Sequence, residues 1–175
     1  MKHYLGIDVG KNGGFVLIDE KGKLLDKRVN PISNGQIDFK GTWEIFRDFY
    51  FQYSNLVVIV EKLHAIFQVP PTTNFILGTQ YGMVIAYCNG FDLPYHLVAP
   101  IKWQKAMFES TSPIYKKDQF TKKGKKKLDT KAMAALSVKK LFPKVDFRKS
   151  TRCTKVHDGI VDAALLAEYA RRNNL

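Results

Sequence analysis

Two apolar runs that each end on an acid constrain this chain more than any other feature. Tyr4-Leu5-Gly6-Ile7 stops at Asp8, and Leu56-Val57-Val58-Ile59-Val60 stops at Glu61. A continuous β-branched run such as 56–60 has the character of a strand covered on both faces, usually central and parallel in its sheet. A carboxylate at the tip of such a strand is costly unless something positive meets it. Two further acids, Asp158 and Asp162, open an apolar C-terminal segment that carries Ile160, Val161, Ala164, Leu165 and Ala167. Being four residues apart, they share one face of a helix. A fold needs no acids at these four points, and a divalent cation is their expected partner.

The 175 residues, 45% of them hydrophobic, suffice for one full core and fall short of two, so a single domain over 1–175 is expected. His3 to Val9, Gly14 to Asp19 and Lys23 to Asn30 read as an antiparallel meander with turns at 10–13 and 20–22. Thr42 to Tyr53 reads as an amphipathic helix, and the 56–60 strand should lie beside the first strand. Thr72 or Thr73 can cap a helix running to about Asn89, in which Gly78, Gly82 and Ala86 recur every fourth residue as a smooth stripe. That stripe suits either packing within the chain or a dimer. Tyr95 to Val98 is a fifth strand, and Pro100 suits the first turn of the next helix. Asp129 or Thr130 caps a helix that Pro143 stops, and a last helix runs from about His157 to Arg172. The one compositional break, Lys116 to Lys127 within a basic stretch at about 110–128, reads as a mobile loop.

Lys and Arg number 28 against 16 Asp and Glu, a formal charge of +12 whose natural partner is a polyanion, nucleic acid first. Cys88 and Cys153 have no metal-ligand spacing and no evident reason to pair, which fits a reducing cytosol. No signal-peptide pattern opens the chain. The longest apolar run, Phe75 to Cys88, is shorter than the ~20 residues that span a bilayer, so a soluble protein with no membrane partner is expected.

A meander followed by helical crossovers is the pattern of a ribonuclease H-like α/β domain, a five-stranded mixed sheet flanked by helices. In such a sheet the carboxyl ends of neighbouring parallel strands converge on one crevice, which would bring Asp8 and Glu61 together. Each acid also has an ordinary reading: Asp8 as a turn residue, Glu61 as a solvated loop acid, Asp158 and Asp162 as stabilisers of a helix N-terminus. If the last helix covers the crevice, four carboxylates face one volume and raise one another's pKa values unless cations neutralise them. Oxygen ligands favour Mg²⁺ or Mn²⁺, and a pair of such ions is the device for phosphodiester hydrolysis. His157 is open to several roles: ligand, general base, phosphate contact, or plain neighbour of a helix cap.

Gly6-Ile7-Asp8-Val9-Gly10, Val60-Glu61, the 98–105 segment Val-Ala-Pro-Ile-Lys-Trp-Gln-Lys and the 157–169 segment from His157 to Tyr169 together resemble RuvC-type Holliday junction resolvases, particularly their phage and organellar branch. The resemblance implies a magnesium-dependent homodimer that nicks opposed strands of a four-way DNA junction and leaves 5′-phosphate and 3′-hydroxyl ends. It implies that Asp8 bridges two metal ions, Glu61 holds one, and Asp162 with Asp158 completes the shell. Bacterial RuvC proteins often place the last two ligands three apart; here Gly159 takes the nearer position, which leaves Asp158 and His157 in contention. Lys102 and Lys105 resemble lysines near the scissile phosphate, or else decorate a solvated helix. Gly78, Gly82 and Ala86 fall on the segment that resembles the family's dimer helix. Phe67 sits where family members project an aromatic wedge into the junction. Lys116, Lys117, Lys122, Lys123, Lys125, Lys126 and Lys127 would grip phosphates. A cytoplasmic setting is implied, whether phage-infected host, nucleoid or organelle.

Three rivals use the same residues. Another ribonuclease H-like nuclease, acting on RNA, RNA–DNA hybrid or other branched DNA, needs the same acids. Sugar-kinase-like ATPases share the Gly-Ile-Asp-Xaa-Gly strand but require a duplicated domain and a second Gly-rich loop, which this chain lacks. A non-catalytic junction-binding module would have no use for all four acids.

Overall fold

The computed structural model describes residues 1–64, 69–121 and 124–175. Three strands, β1 (His3–Asp8), β2 (Gly14–Asp19) and β3 (Leu24–Val29), form the antiparallel meander. A short ribbon of β4 (Ile32–Ser33) and β5 (Gln36–Ile37) leads into α1 (Phe39–Gln52). Then come β6 (Leu56–Glu61), α2 (Pro71–Gly90), β7 (Tyr95–Val98) and α3 (Pro100–Phe108). A second ribbon, β8 (Tyr115–Phe120) with β9 (Lys126–Leu128), precedes α4 (Thr130–Leu141) and α5 (Asp158–Arg172). The main sheet has the order β3-β2-β1-β6-β7, with β1, β6 and β7 mutually parallel. This is the five-stranded mixed sheet that the meander and the β-branched run specify.

Alternation of side chains divides the core in two. Tyr4, Val16, Ile18, Val57 and Ile59 face α5, with α3 and α4 beside it, in one buried cluster. Leu5, Ile7, Phe15, Leu17, Val58 and Val60 face α1 and α2 in the other. Every second residue of a strand shares a face. Asp8 therefore projects on the Tyr4 side and Glu61 on the Ile59 side, both toward α5.

Several boundaries differ from the sequence reading, each for a local reason. α1 starts three residues before Thr42, because Asp38 accepts from the Gly41 N–H and supplies the cap. No threonine caps α2: Pro70 precedes it and Pro71 fills its first position, where a missing N–H costs nothing. For α4 the expected choice between Asp129 and Thr130 falls to Asp129, whose side chain accepts from the Ala132 N–H. The basic stretch is no structureless loop among the described residues: Tyr115 pairs with Leu128 and Phe120 with Lys126. There the aromatic ends of β8 supply β-propensity that the lysines between them conceal. No helix among the described residues is long and apolar enough to cross a membrane.

Candidate active site

The pairing of Ile7 with Val60 sets Asp8 beside Glu61 at the carboxyl ends of two adjacent parallel strands. α5 lies across β1 and β2 at van der Waals contact between backbones. A Cβ on Gly6 would stand 2.0 Å from the Ala163 carbonyl oxygen, and one on Gly159 would stand 2.2 Å from that of Asn12. Only glycine permits both approaches, and they hold the first turns of α5 over the end of β1. The glycine at 159 is thus fixed by the Asn12–Gly13 backbone, which accounts for the four-residue spacing of Asp158 and Asp162.

The charges respond to one another. Burial holds the Asp8 carboxyl well above the usual carboxylate range, with Asp162, Glu61 and Asp158 raising it further and Lys131 alone opposing them. Burial, then Glu61 and Asp158, push Asp162 up to about 7, again against Lys131. Glu61 is raised by burial and partly rescued by the Trp103 indole, whose Nε1–H donates to its Oε1 at 3.1 Å. Asp158 is more exposed and pairs with Lys131 Nζ at 2.5 Å. Among the described residues no group of three or more His, Cys, Asp or Glu is arranged as a finished metal site. The donor set itself fits a divalent cation. Three half-buried carboxylates raise one another's affinity for positive charge, their oxygens are hard ligands, and Lys131, the ammonium that acts on them, is paired with the fourth acid.

His157 has a structural task. It is the N-cap of α5, and its Nδ1 accepts from the Ile160 N–H at 3.3 Å. Burial and then Lys149 lower its pKa, against the pull of Asp158. Lys102 and Lys105 are exposed on α3 and line a groove with Glu109, Tyr169 and Asn173. Tyr169 lies seven residues, about 10 Å of helix, beyond Asp162. From α3 it is Trp103, between these two lysines in sequence, that hydrogen-bonds one of the acids, Glu61.

Lys116 and Lys117 do border the site. With Lys131, Lys155, Gln119 and Asp158 they line an open groove of about 740 Å³. Lys125, Lys126 and Lys127 are exposed nearby on the ribbon's return strand and the approach to it. Gly78, Gly82 and Ala86 face outward on α2, and a Cβ on either glycine would meet nothing within 4 Å, so packing within the chain does not explain them. Phe67, Lys122 and Lys123 lie outside the described residues. Sequence reasoning missed Lys131 and Lys155 altogether. Lys131 left one signal: a cation in the first turn of a helix opposes the macrodipole and calls for a compensating anion.

No family model matches the chain and no curated protein matches it. Solved structures do, and the class they define is the ribonuclease H-like fold in its RuvC form. Thermus thermophilus RuvC in complex with a Holliday junction substrate is 15% identical with a TM-score of 0.62, covering 99% of this chain and 96% of that one. A second Thermus thermophilus RuvC structure gives 17% identity and a TM-score of 0.60, covering 98% and 96%. The yeast mitochondrial Holliday junction resolvase Ydc2 gives 16% identity and a TM-score of 0.62, covering 98% of this chain and 78% of that one. This chain accordingly has the fold of the RuvC-type resolvases over nearly its whole length.

Proposed function

We propose that the protein is a structure-specific DNA endonuclease that resolves four-way junctions, nicking opposed strands symmetrically as a homodimer. The observation that carries this reading is the convergence of Asp8, Glu61 and Asp162 at one end of the sheet, beside a groove walled by lysines. The fold shared with RuvC, one of whose structures holds a Holliday junction, supports the same substrate. Asp8, Glu61 and Asp162 would hold two Mg²⁺ or Mn²⁺ ions, with Asp158 contributing once it leaves Lys131. When bound, such ions supply water activation and stabilisation of the departing oxygen. Hydrolysis breaks the bond between phosphorus and the 3′-oxygen, leaving a 5′-phosphate and a 3′-hydroxyl.

The chain's own residues do the rest. Lys116, Lys117 and Lys155 seat backbone phosphates along the groove, contributing affinity without sequence information. Lys131 holds Asp158 in check until substrate arrives and then turns its ammonium to the phosphate. Trp103 fixes the rotamer of Glu61 through the indole hydrogen bond. The open small-residue face of α2 supports a seam between two copies, which would set two sites against opposed strands.

A synthetic four-way junction, a matched linear duplex and an RNA–DNA hybrid, each incubated with Mg²⁺, test this directly. The reading expects the junction to be cut selectively, in paired nicks with religatable ends, and Asp8→Asn to bring the rate to background. Comparable cutting of all three substrates, or undiminished cutting by Asp8→Asn, would overturn it.

A further inference from the structure

Gly10, two residues beyond Asp8, is gripped from two sides. Its N–H donates to Gln80 Oε1 at 2.5 Å, and its carbonyl accepts from the Asn30 side-chain amide. The same Asn30 amide reaches the Asp8 carbonyl oxygen at 3.4 Å. Gln80 comes from the middle of α2 and is fully buried, while Asn30 follows β3 and is 3% exposed. Gly10 itself adopts φ +122°, where it lacks the steric limits that would fix an ordinary residue. Within the turn only the Gly13 N–H, which donates to the Gly10 carbonyl at 2.9 Å, restrains this residue among the described bonds, and the two amides add restraint from outside the turn on both its N–H and its carbonyl.

Neither amide is suited to packing alone. Gln80 Nε2 and Asn30 Oδ1 find no hydrogen-bond partner among the described residues, although both groups are buried. Burying an amide with part of its hydrogen-bonding capacity unmet opposes stability. The other buried positions on α2 are Val84 and Cys88, so an apolar residue at 80 would serve the core better. We propose that Gln80 and Asn30 are positioning residues that fix the Gly10 backbone and thereby aim Asp8 at the other acids. This rests on the reading of Asp8 as a metal-holding carboxylate. Gln80 also lies on the side of α2 opposite Gly78 and Gly82, so the seat of that helix and the aim of Asp8 are mechanically linked.

The experiment compares Gln80→Leu, which keeps the size but deletes the acceptor, with Gln80→Glu, which keeps an oxygen toward the Gly10 N–H. Junction cleavage is measured across a Mg²⁺ titration, junction binding in Ca²⁺, and folding by circular dichroism. Gln80→Leu is expected to bind the junction within about twofold of wild type yet cleave on the order of tenfold to a hundredfold more slowly, with more Mg²⁺ needed for half-maximal rate. Gln80→Glu should recover most of that rate, which a purely structural role would not require. Asn30→Asp turns a donor into an acceptor facing two carbonyls; it should reproduce the Leu defect and serves in its place if Gln80→Leu fails to fold. A folded Gln80→Leu or Asn30→Asp protein with wild-type rate and metal requirement overturns the proposal, as does a Gln80→Glu protein as slow as the Leu variant. Wild-type cutting by Asp8→Asn would instead remove the reading of Asp8, a separate and distinguishable result.

Discussion

An aspartate in an unfolded chain titrates near about 3.9, whereas burial, Glu61 and Asp158 bring Asp162 to about 7 in the folded protein. The folded state therefore binds this proton more tightly than the unfolded one. Its contribution favours folding at acidic pH and is lost as pH climbs from roughly 4 through about 7. Denaturant unfolding in metal-free buffer should show stability falling across that window by on the order of 2 to 4 kcal/mol, with Asp162→Asn flattening the profile. Mg²⁺ should flatten it too, since a cation bound to the carboxylates replaces the proton. Identical pH slopes for wild type and Asp162→Asn would place the responsible field elsewhere. Gly6 and Gly159 make a second residue-level case. With backbone oxygens only 2.0 and 2.2 Å from where a Cβ would stand, alanine has no room at either position. Either substitution is expected to cost on the order of 3 kcal/mol, read as a lower melting midpoint or loss of folded yield.

At the scale of elements, α2 and the β8–β9 ribbon carry the testable content. On α2, Gly78 and Gly82 face open space, so alanine at either should stabilise the isolated protomer by about 0.5 to 1 kcal/mol through helix propensity. If two copies meet on this face as proposed, Gly82→Glu should leave the protomer folded and shift sedimentation from dimer to monomer. A variant that sediments as the wild type does would exclude this face as the seam. On the ribbon, Lys116 and Lys117 border the groove beside Asp158. Replacing both with glutamine should lower the slope of log affinity against log salt by up to ~2 if each meets a phosphate. A ribbon that stays clear of the substrate would leave the slope unchanged.

Across the whole molecule, what could be read from the sequence was what has a period or a register. Alternation and β-branching bounded β2 and β7, and the parallel pairing of two acid-ended strands placed Asp8 beside Glu61 without coordinates. Short or masked signals were lost. The two-residue strands β4 and β5 are too brief to show alternation, and lysines hid the β-propensity of Tyr115 and Phe120. Contacts between remote segments were also illegible, among them Lys131 with Asp158 and Gln80 with Gly10. These depend on how α4 and α2 dock, which no local pattern encodes. The outward turn of Gly78 and Gly82 is likewise a property of docking, since a stripe of small residues serves an inner or an outer face equally well.

Where β1 meets α5, main chain touches main chain with no side chain interposed. The gap from Asp8 to Asp162 is consequently set by peptide geometry, and no ordinary substitution along that seam can widen or narrow it. Anyone wishing to change the spacing of these acids would have to work from the opposite flank. There Glu61 leans on a single indole, and the bolt is a replaceable ring instead of the polypeptide itself.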